Sequence, residues 1–231
     1  MSLPKLNTPT YELVLPSTGK KVRYRPFLVK EHKVLLTMSE ADDYEISRIV
    51  NELVNACTFG KLSIEDLAHF DIEYIFLNLR ARSISEKVDV VVNCSCGEKI
   101  ETSFSIDNLK VEKTPGHTNK IMLTDEYGIE LRYPLFESIV EIFAKNNDED
   151  IFNLIVNSIK GVYSKDEYWE AKEQTKEELE NFINSLTKEQ FDKIETFFTT
   201  APKIVQVIET DCPSCKKHNV SRLEGLSNFF V

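Results

Sequence analysis

Glycine is scarce in this chain, seven of 231 residues, and proline is little commoner at eight. So few chain breakers exclude a linker-rich or low-complexity polymer. Positive charge is also short: 28 Lys+Arg against 38 Asp+Glu leave a net charge of −10. A general nucleic-acid binder needs a basic footprint to displace counterions from phosphates, and docking on an anionic membrane makes a similar demand. Neither nucleic acid nor membrane is therefore expected as a partner. No stretch approaches the roughly 20 apolar residues that span a bilayer. Residues Met1–Leu6 lack the apolar core of a signal peptide, so a cytoplasmic location is expected. Enzyme signatures are missing too. There is no Gly-rich phosphate loop, no G-x-S-x-G and no H-E-x-x-H. His32, His69, His117 and His218 are dispersed, and none has a cysteine or carboxylate at triad spacing. No catalytic residue is expected.

What remains is an ordinary globular composition with 42% hydrophobic residues, 14 Phe and eight Tyr, enough for a sizeable core. The informative residues are the cysteines. Four of the five fall in two tight pairs, Cys94-Ser95-Cys96-Gly97 and Cys212-Pro213-Ser214-Cys215. Each pair lies between extended stretches. Lys87–Asn93 and Glu98–Ile106 flank the first, Lys203–Thr210 and Lys216–Leu223 the second. The same unit, strand, cysteine turn and strand, thus occurs twice. A turn of this kind is a knuckle that offers two soft ligands. Two knuckles complete the tetrahedral four-cysteine set that structural zinc prefers. The spacing predicts one zinc shared by Cys94, Cys96, Cys212 and Cys215, closing a loop although 115 residues separate the pairs. Such a site keeps no coordination position open for water or substrate, so it is structural.

Other readings stand beside this one. The thiols could simply stay reduced on two hairpins. A thioredoxin-like redox site would need a helix after its second cysteine, whereas Lys216–Ser221 is a poor helix former. His218 could replace a ligand but is expected to lie exposed on the outgoing strand. Cys57, inside a helical pattern, is expected to be a small buried hydrophobe.

Along the chain, residues 1–10 read as an extended arm. Tyr11–Phe27 alternates about a Pro-Ser-Thr-Gly turn and predicts a hairpin. Helical spacing follows at 29–36 and 44–54, with Asp42 or Asp43 as a cap, then at 62–66 with Ser63 as a cap, and at 71–82. A second hairpin is expected over 120–133. Residues 134–200 read as helical, over 135–144 and 151–159. Capping-box patterns stand at Ser164/Glu167, Thr175/Glu178 and Thr187/Gln190. The expected fold is α+β: helical halves with β-hairpins and a zinc-ribbon-like module built from two distant strand–knuckle–strand units. With no linker in sight, 1–231 reads as a single unit. Within it, 11–82 hold the first hairpin and helices, 83–133 the first knuckle, 134–200 the helical region, and 201–231 the second knuckle and an apolar tail.

The segment Leu3-Pro4-Lys5-Leu6-Asn7-Thr8-Pro9, with Tyr11-Glu12-Leu13 and Leu15-Pro16-Ser17-Thr18-Gly19, resembles baseplate hub and hub-assembly proteins of contractile-tailed, T-even-like bacteriophages. So does the stretch Tyr24–Leu36 that follows. The resemblance implies a non-enzymatic virion structural subunit or a chaperone-like assembly factor. Its partners would be other baseplate and hub proteins, and its location the host cytoplasm or the tail baseplate. No catalytic residue is carried over. Two candidate contact sites come from the residues themselves. One is the basic hairpin, including Arg23 and Arg25, which could meet an acidic surface. The other is the apolar tail, including Phe229 and Phe230, which could insert into a partner. A zinc-ribbon nucleic-acid module is the rival reading. Lys216 and Lys217 favour it, but Glu98, Glu101, Glu209 and Asp211 balance them.

Overall fold

The computed structural model describes residues 6–36, 43–62, 64, 67–136, 138–139 and 148–224. The start of the N-terminal arm, the cap expected at Ser63, most of the helix expected over 135–144, and the apolar tail lie outside the described residues. The chain is mixed α and β, with six helices and small antiparallel sheets among the described residues. The described residues gather into two compact units: those within 1–64, 70–112 and 203–231 form the first, and those within 65–69 and 113–202 the second.

The first unit opens on the expected hairpin, β1 (Tyr11–Val14) and β2 (Lys21–Tyr24). Leu13, Val22 and Tyr24 point inward while Glu12, Lys21 and Arg23 face solvent, the period-two pattern of a half-buried strand. Helices α1 (Val29–Leu35), α2 (Asp43–Cys57) and α3 (His69–Ser83) follow. Helix α3 buries residues on every side, Asp71 and Glu73 among them, so it is a core helix rather than a surface one. Phe70, Ile75, Phe76 and Leu79 in it have no exposed surface. Its buried Asp71 carboxylate accepts hydrogen bonds from the backbone N–H (3.0 Å) and the hydroxyl of Ser17, which ties the β1–β2 turn to the core. Two antiparallel hairpin ladders complete the unit. Strands β3 (Lys87–Asn93) and β4 (Lys99–Ser105) pair along their full length. Strand β10 (Lys203–Asp211) pairs with β11 (His218–Glu224) and, at its start, with the short β5 (Lys110–Glu112). Strand β5 is not evident from the sequence; three residues carry too little periodicity to register.

The second unit holds a four-stranded antiparallel sheet of order β6 (Lys120–Met122), β7 (Gly128–Leu131), β8 (Ile159–Tyr163) and β9 (Tyr168–Glu170). Helices α4 (Asp148–Asn157), α5 (Lys176–Asn184) and α6 (Lys188–Thr199) supply the rest of its core. That core gathers Ile129, Leu131, Ile155, Ile159, Ile183, Ile194 and Phe197. The capping boxes at Thr175/Glu178 and Thr187/Gln190 form as expected, each hydroxyl accepting the N3 amide while the N3 side chain accepts the cap N–H. The one at Ser164 does not start a helix. Ser164 Oγ accepts from the amides of Asp166 and Glu167 inside the β8–β9 turn, and Ser164 N–H closes on Glu167 O at 2.8 Å. The same hydroxyl-to-amide bond serves a cap and a turn alike, so the pattern alone does not distinguish them. The stretch after Glu167, read as a helical face, accordingly begins as strand β9.

On the outer face of this sheet, two glycines lie under tyrosine rings. Tyr168 crosses Gly161 to donate its hydroxyl to Glu130 at 3.3 Å. Burial acts to raise the Glu130 carboxyl, but Lys160 at 2.7 Å, Lys120 and Tyr168 outweigh it and hold it below its usual value. A Cβ on Gly161 would meet the Tyr168 ring at 2.6 Å and the Trp169 carbonyl oxygen at 2.7 Å, and the latter belongs to the ladder and cannot rotate away. Gly161→Ala is expected to destabilise the second unit by about 1–3 kcal/mol, read as a lowered denaturant midpoint of Trp169 fluorescence. An unchanged midpoint would show that the strand relaxes freely.

Candidate metal centre

The two knuckles are built alike. In the first, Cys94 N–H donates to Glu98 O and Gly97 N–H to Cys94 O, both at 2.9 Å, so the chain reverses between β3 and β4 in five residues. Gly97 sits at φ +91°, a left-handed conformation that a side chain disfavours. In the second, Cys212 N–H donates to Lys217 O at 2.9 Å and Lys216 N–H to Cys212 O at 3.0 Å, with Lys216 itself at φ +61°. Each turn thus places both its sulfurs beside the other turn's.

The resulting geometry is specific. Cys94 Sγ lies 3.6 Å from Cys215 Sγ, and Cys96 Sγ lies 3.6 Å from Cys212 Sγ. All four sulfurs fall within 4.8 Å of one another, and no other group of three or more such ligands gathers among the described residues. A disulfide needs about 2.05 Å, so the sulfurs are not bonded to one another. Four sulfurs about 2.3 Å from one tetrahedral ion would stand ~3.8 Å apart, close to the two cross-knuckle separations. Cys94 and Cys212 are buried, while Cys96 and Cys215 are exposed. Two further bonds lock the knuckles together: Ser214 Oγ donates to Glu98 Oε2 at 2.8 Å, and Lys217 Nζ donates to Ser95 Oγ at 2.9 Å. The sequence reading weighed Lys217 and Glu98 only as charges around the knuckles and did not pair any of these four residues. Their signal was their place inside the turns, which matters only once the turns are known to face each other.

The electrostatics favour a cation. The Cys96 backbone amide, together with neighbouring thiols, pulls the Cys94 thiol down to about 6. The Glu98 amide acts to lower Cys96 as well, but the sulfurs of Cys215, Cys94 and Cys212 outweigh it and push Cys96 up to about 12. Sulfurs this close share their charge: once one ionises, the next resists. A doubly charged ion removes that conflict and lets the set act as thiolates. With four protein ligands in place, a tetrahedral site has no vacancy for substrate.

The other singled-out residues fall elsewhere. His218 is exposed and bonds Asp211 Oδ1 at 2.9 Å, outside the sulfur set. Cys57 is fully buried, and burial pushes its thiol up to about 11. Arg23 is exposed on β2. The Arg25 side chain is 11% exposed, and its guanidinium donates to Glu31 Oε1 at 2.9 Å, Pro26 O at 2.9 Å and Ala56 O at 3.3 Å. It sits at the strand end where alternation stops, so exposure could not be read from the pattern. Phe229 and Phe230 lie outside the described residues.

No described helix is long and apolar enough to cross a membrane. Comparison with curated proteins and with solved structures found no match. A protein family does match, over nearly the whole length and across both cysteine knuckles. From residue 8 to residue 231 the sequence fits the family described as T4 bacteriophage base plate protein, and the chain belongs to that family.

Proposed function

We propose that this baseplate protein is a non-enzymatic component of the baseplate hub or its assembly, and that one structural zinc on Cys94, Cys96, Cys212 and Cys215 holds its first unit in shape. The observation that carries the reading is the pair of 3.6 Å sulfur separations across knuckles more than a hundred residues apart in sequence. Zinc suits an all-thiolate tetrahedral set better than magnesium or calcium, which take oxygen ligands. The protein then acts through contacts with neighbouring baseplate proteins, in the host cytoplasm during assembly and in the tail thereafter.

Elemental analysis of the purified chain is expected to return one zinc per molecule. Its four site thiols should resist alkylation until a chelator is added. A metal-free protein whose thiols react at once would overturn the zinc. Because the ligands must be thiolates, acidification protonates them and releases the ion; zinc retention measured with a colorimetric chelator should fall as pH drops below neutrality. Co-purification from infected cells tests the hub role separately: hub proteins in the eluate support it, and peripheral baseplate proteins alone overturn it.

A further inference from the structure

We propose that the free edge of β6, in the second unit, is a docking site for an extended acidic segment of a partner protein, which adds to the sheet as a fifth strand. The inference rests on that unit alone and needs neither the metal nor the hub role.

Strand β6 is the terminal strand of its sheet, paired only with β7. Antiparallel pairing makes alternate residues bond across the ladder, while those between turn their backbone groups outward. Leu131 N–H donates to Asn119 O at 2.8 Å and Leu123 N–H to Tyr127 O at 3.0 Å, which bracket the Ile121↔Ile129 pair in the same phase. Lys120 and Met122 therefore direct their N–H and C=O away from β7. Thr118 Oγ1 takes the Lys120 N–H at 3.2 Å. What remains at the edge is the Lys120 carbonyl and both backbone groups of Met122, spaced for an incoming strand rather than a helix, whose backbone bonds are already made.

A cleft of about 380 Å³ runs beside this edge, walled by β6, residues 114–118 and α6. Its ionisable lining is His117, Lys120 and Lys193, with no carboxylate. Lys193 makes no ion pair among the described residues, whereas its neighbours Asp192 and Glu195 are both engaged by Lys188. Lys120 stands 3.9 Å from Glu130, a carboxylate that Lys160 already holds at 2.7 Å. Met122 is 48% exposed, and Ile121 and Phe197 also line the cleft. The site thus offers backbone hydrogen bonds, apolar walls, the cation of Lys193, unpaired among the described residues, and Lys120, which shares Glu130 with Lys160. Its chemical complement is a short extended segment alternating acidic and apolar side chains.

The test titrates the full chain with a fluorescein-labelled peptide of alternating Glu and Val, and with the same peptide carrying Lys in place of Glu, read by anisotropy. The acidic peptide should bind about tenfold more tightly and lose affinity with added salt. Lys193→Glu should weaken it by about fivefold or more. Met122→Pro should abolish it, because that amide points outward and its removal spares the β6–β7 ladder. Lys193→Glu, a surface change, keeps the test open if Met122→Pro fails to fold. Equal binding of the two peptides, no binding of either, or an acidic-peptide affinity indifferent to both variants would overturn the proposal. So would self-association lost in Met122→Pro, since that makes a second copy the occupant.

Discussion

Cys212→Ser is expected to unfold the first unit and leave the second standing. Cys212 is fully buried at the end of β10, with its sulfur 3.6 Å from that of Cys96 across the knuckles. Serine supplies a hard oxygen on a shorter bond in place of a thiolate, and the remaining three sulfurs hold the ion poorly. Apparent binding free energies of structural zinc run to about 10–16 kcal/mol, against net domain stabilities of about 5–15 kcal/mol. Losing most of the first is comparable with the whole of the second. The second unit contains none of the five cysteines, and its core of Ile129, Leu131, Ile194 and Phe197 is independent of the metal. The single tryptophan, Trp169, lies in that unit. Its fluorescence transition should therefore stay near the wild-type midpoint while far-UV circular dichroism loses an early, separate component. Chelation of the wild-type chain should reproduce the split. Full zinc content in Cys212→Ser with a single unshifted transition would remove the metal from the account of stability.

Arg25→Met is expected to cost up to about 3 kcal/mol, because it leaves the buried Glu31 carboxylate with only the exposed Lys30, at 3.4 Å, as its cation. Only 6% of the Glu31 side chain is exposed. Its Oε2 also accepts the Leu28 N–H at 2.7 Å, so the carboxylate starts α1 as well as pairing the arginine. The double variant Arg25→Met/Glu31→Leu should recover part of the loss, with a coupling of at least ~1 kcal/mol in chemical denaturation. Additive losses would mean that the two groups act independently. The pair also sets a pH dependence. Burial acts to raise the Glu31 carboxyl, but the Arg25 and Leu28 hydrogen bonds outweigh it and lower it from its ordinary 4.5. A folded value below the unfolded one gives stabilisation that is complete above about 4.5 and is lost as pH falls through the lowered value. Glu31→Gln should be less stable at neutral pH and show a flatter acid limb.

The cysteine site was legible because two signals coincided: paired soft ligands, and β-branched alternation on both sides of each pair. Strands β3 and β10 appear where alternation placed them, since Val88, Val90 and Val92 could face the core only in that register. Helix α3 was equally plain, because its apolar run from Ile72 to Leu79 shows helical spacing and is too rich in large hydrophobes for a surface element. Strands β8 and β9 were not legible. Gly161 interrupts the apolar pattern of β8 and has its reason only in the tyrosine ring that covers it, while the Ser164 turn imitates a helix start. The surroundings of Arg25 were not legible either. A basic residue among basic neighbours reads as surface, and only the arrival of Glu31, Ala56 and Cys57 around it covers most of its side chain.

By itself, then, the sequence determined the ligand set and most of the local elements: the first hairpin, the strands around both knuckles, and the helices with their two capping boxes. Tertiary structure alone decided how the knuckles face each other, with Cys94 beside Cys215 and Cys96 beside Cys212, and which carboxylates, such as Asp71 and Glu31, are buried. Alternation and capping act between residues a few positions apart, so they are written in the sequence. The meeting of Cys94 with Cys215, or of Tyr168 with Gly161, depends on how separate elements pack, and no local pattern encodes it.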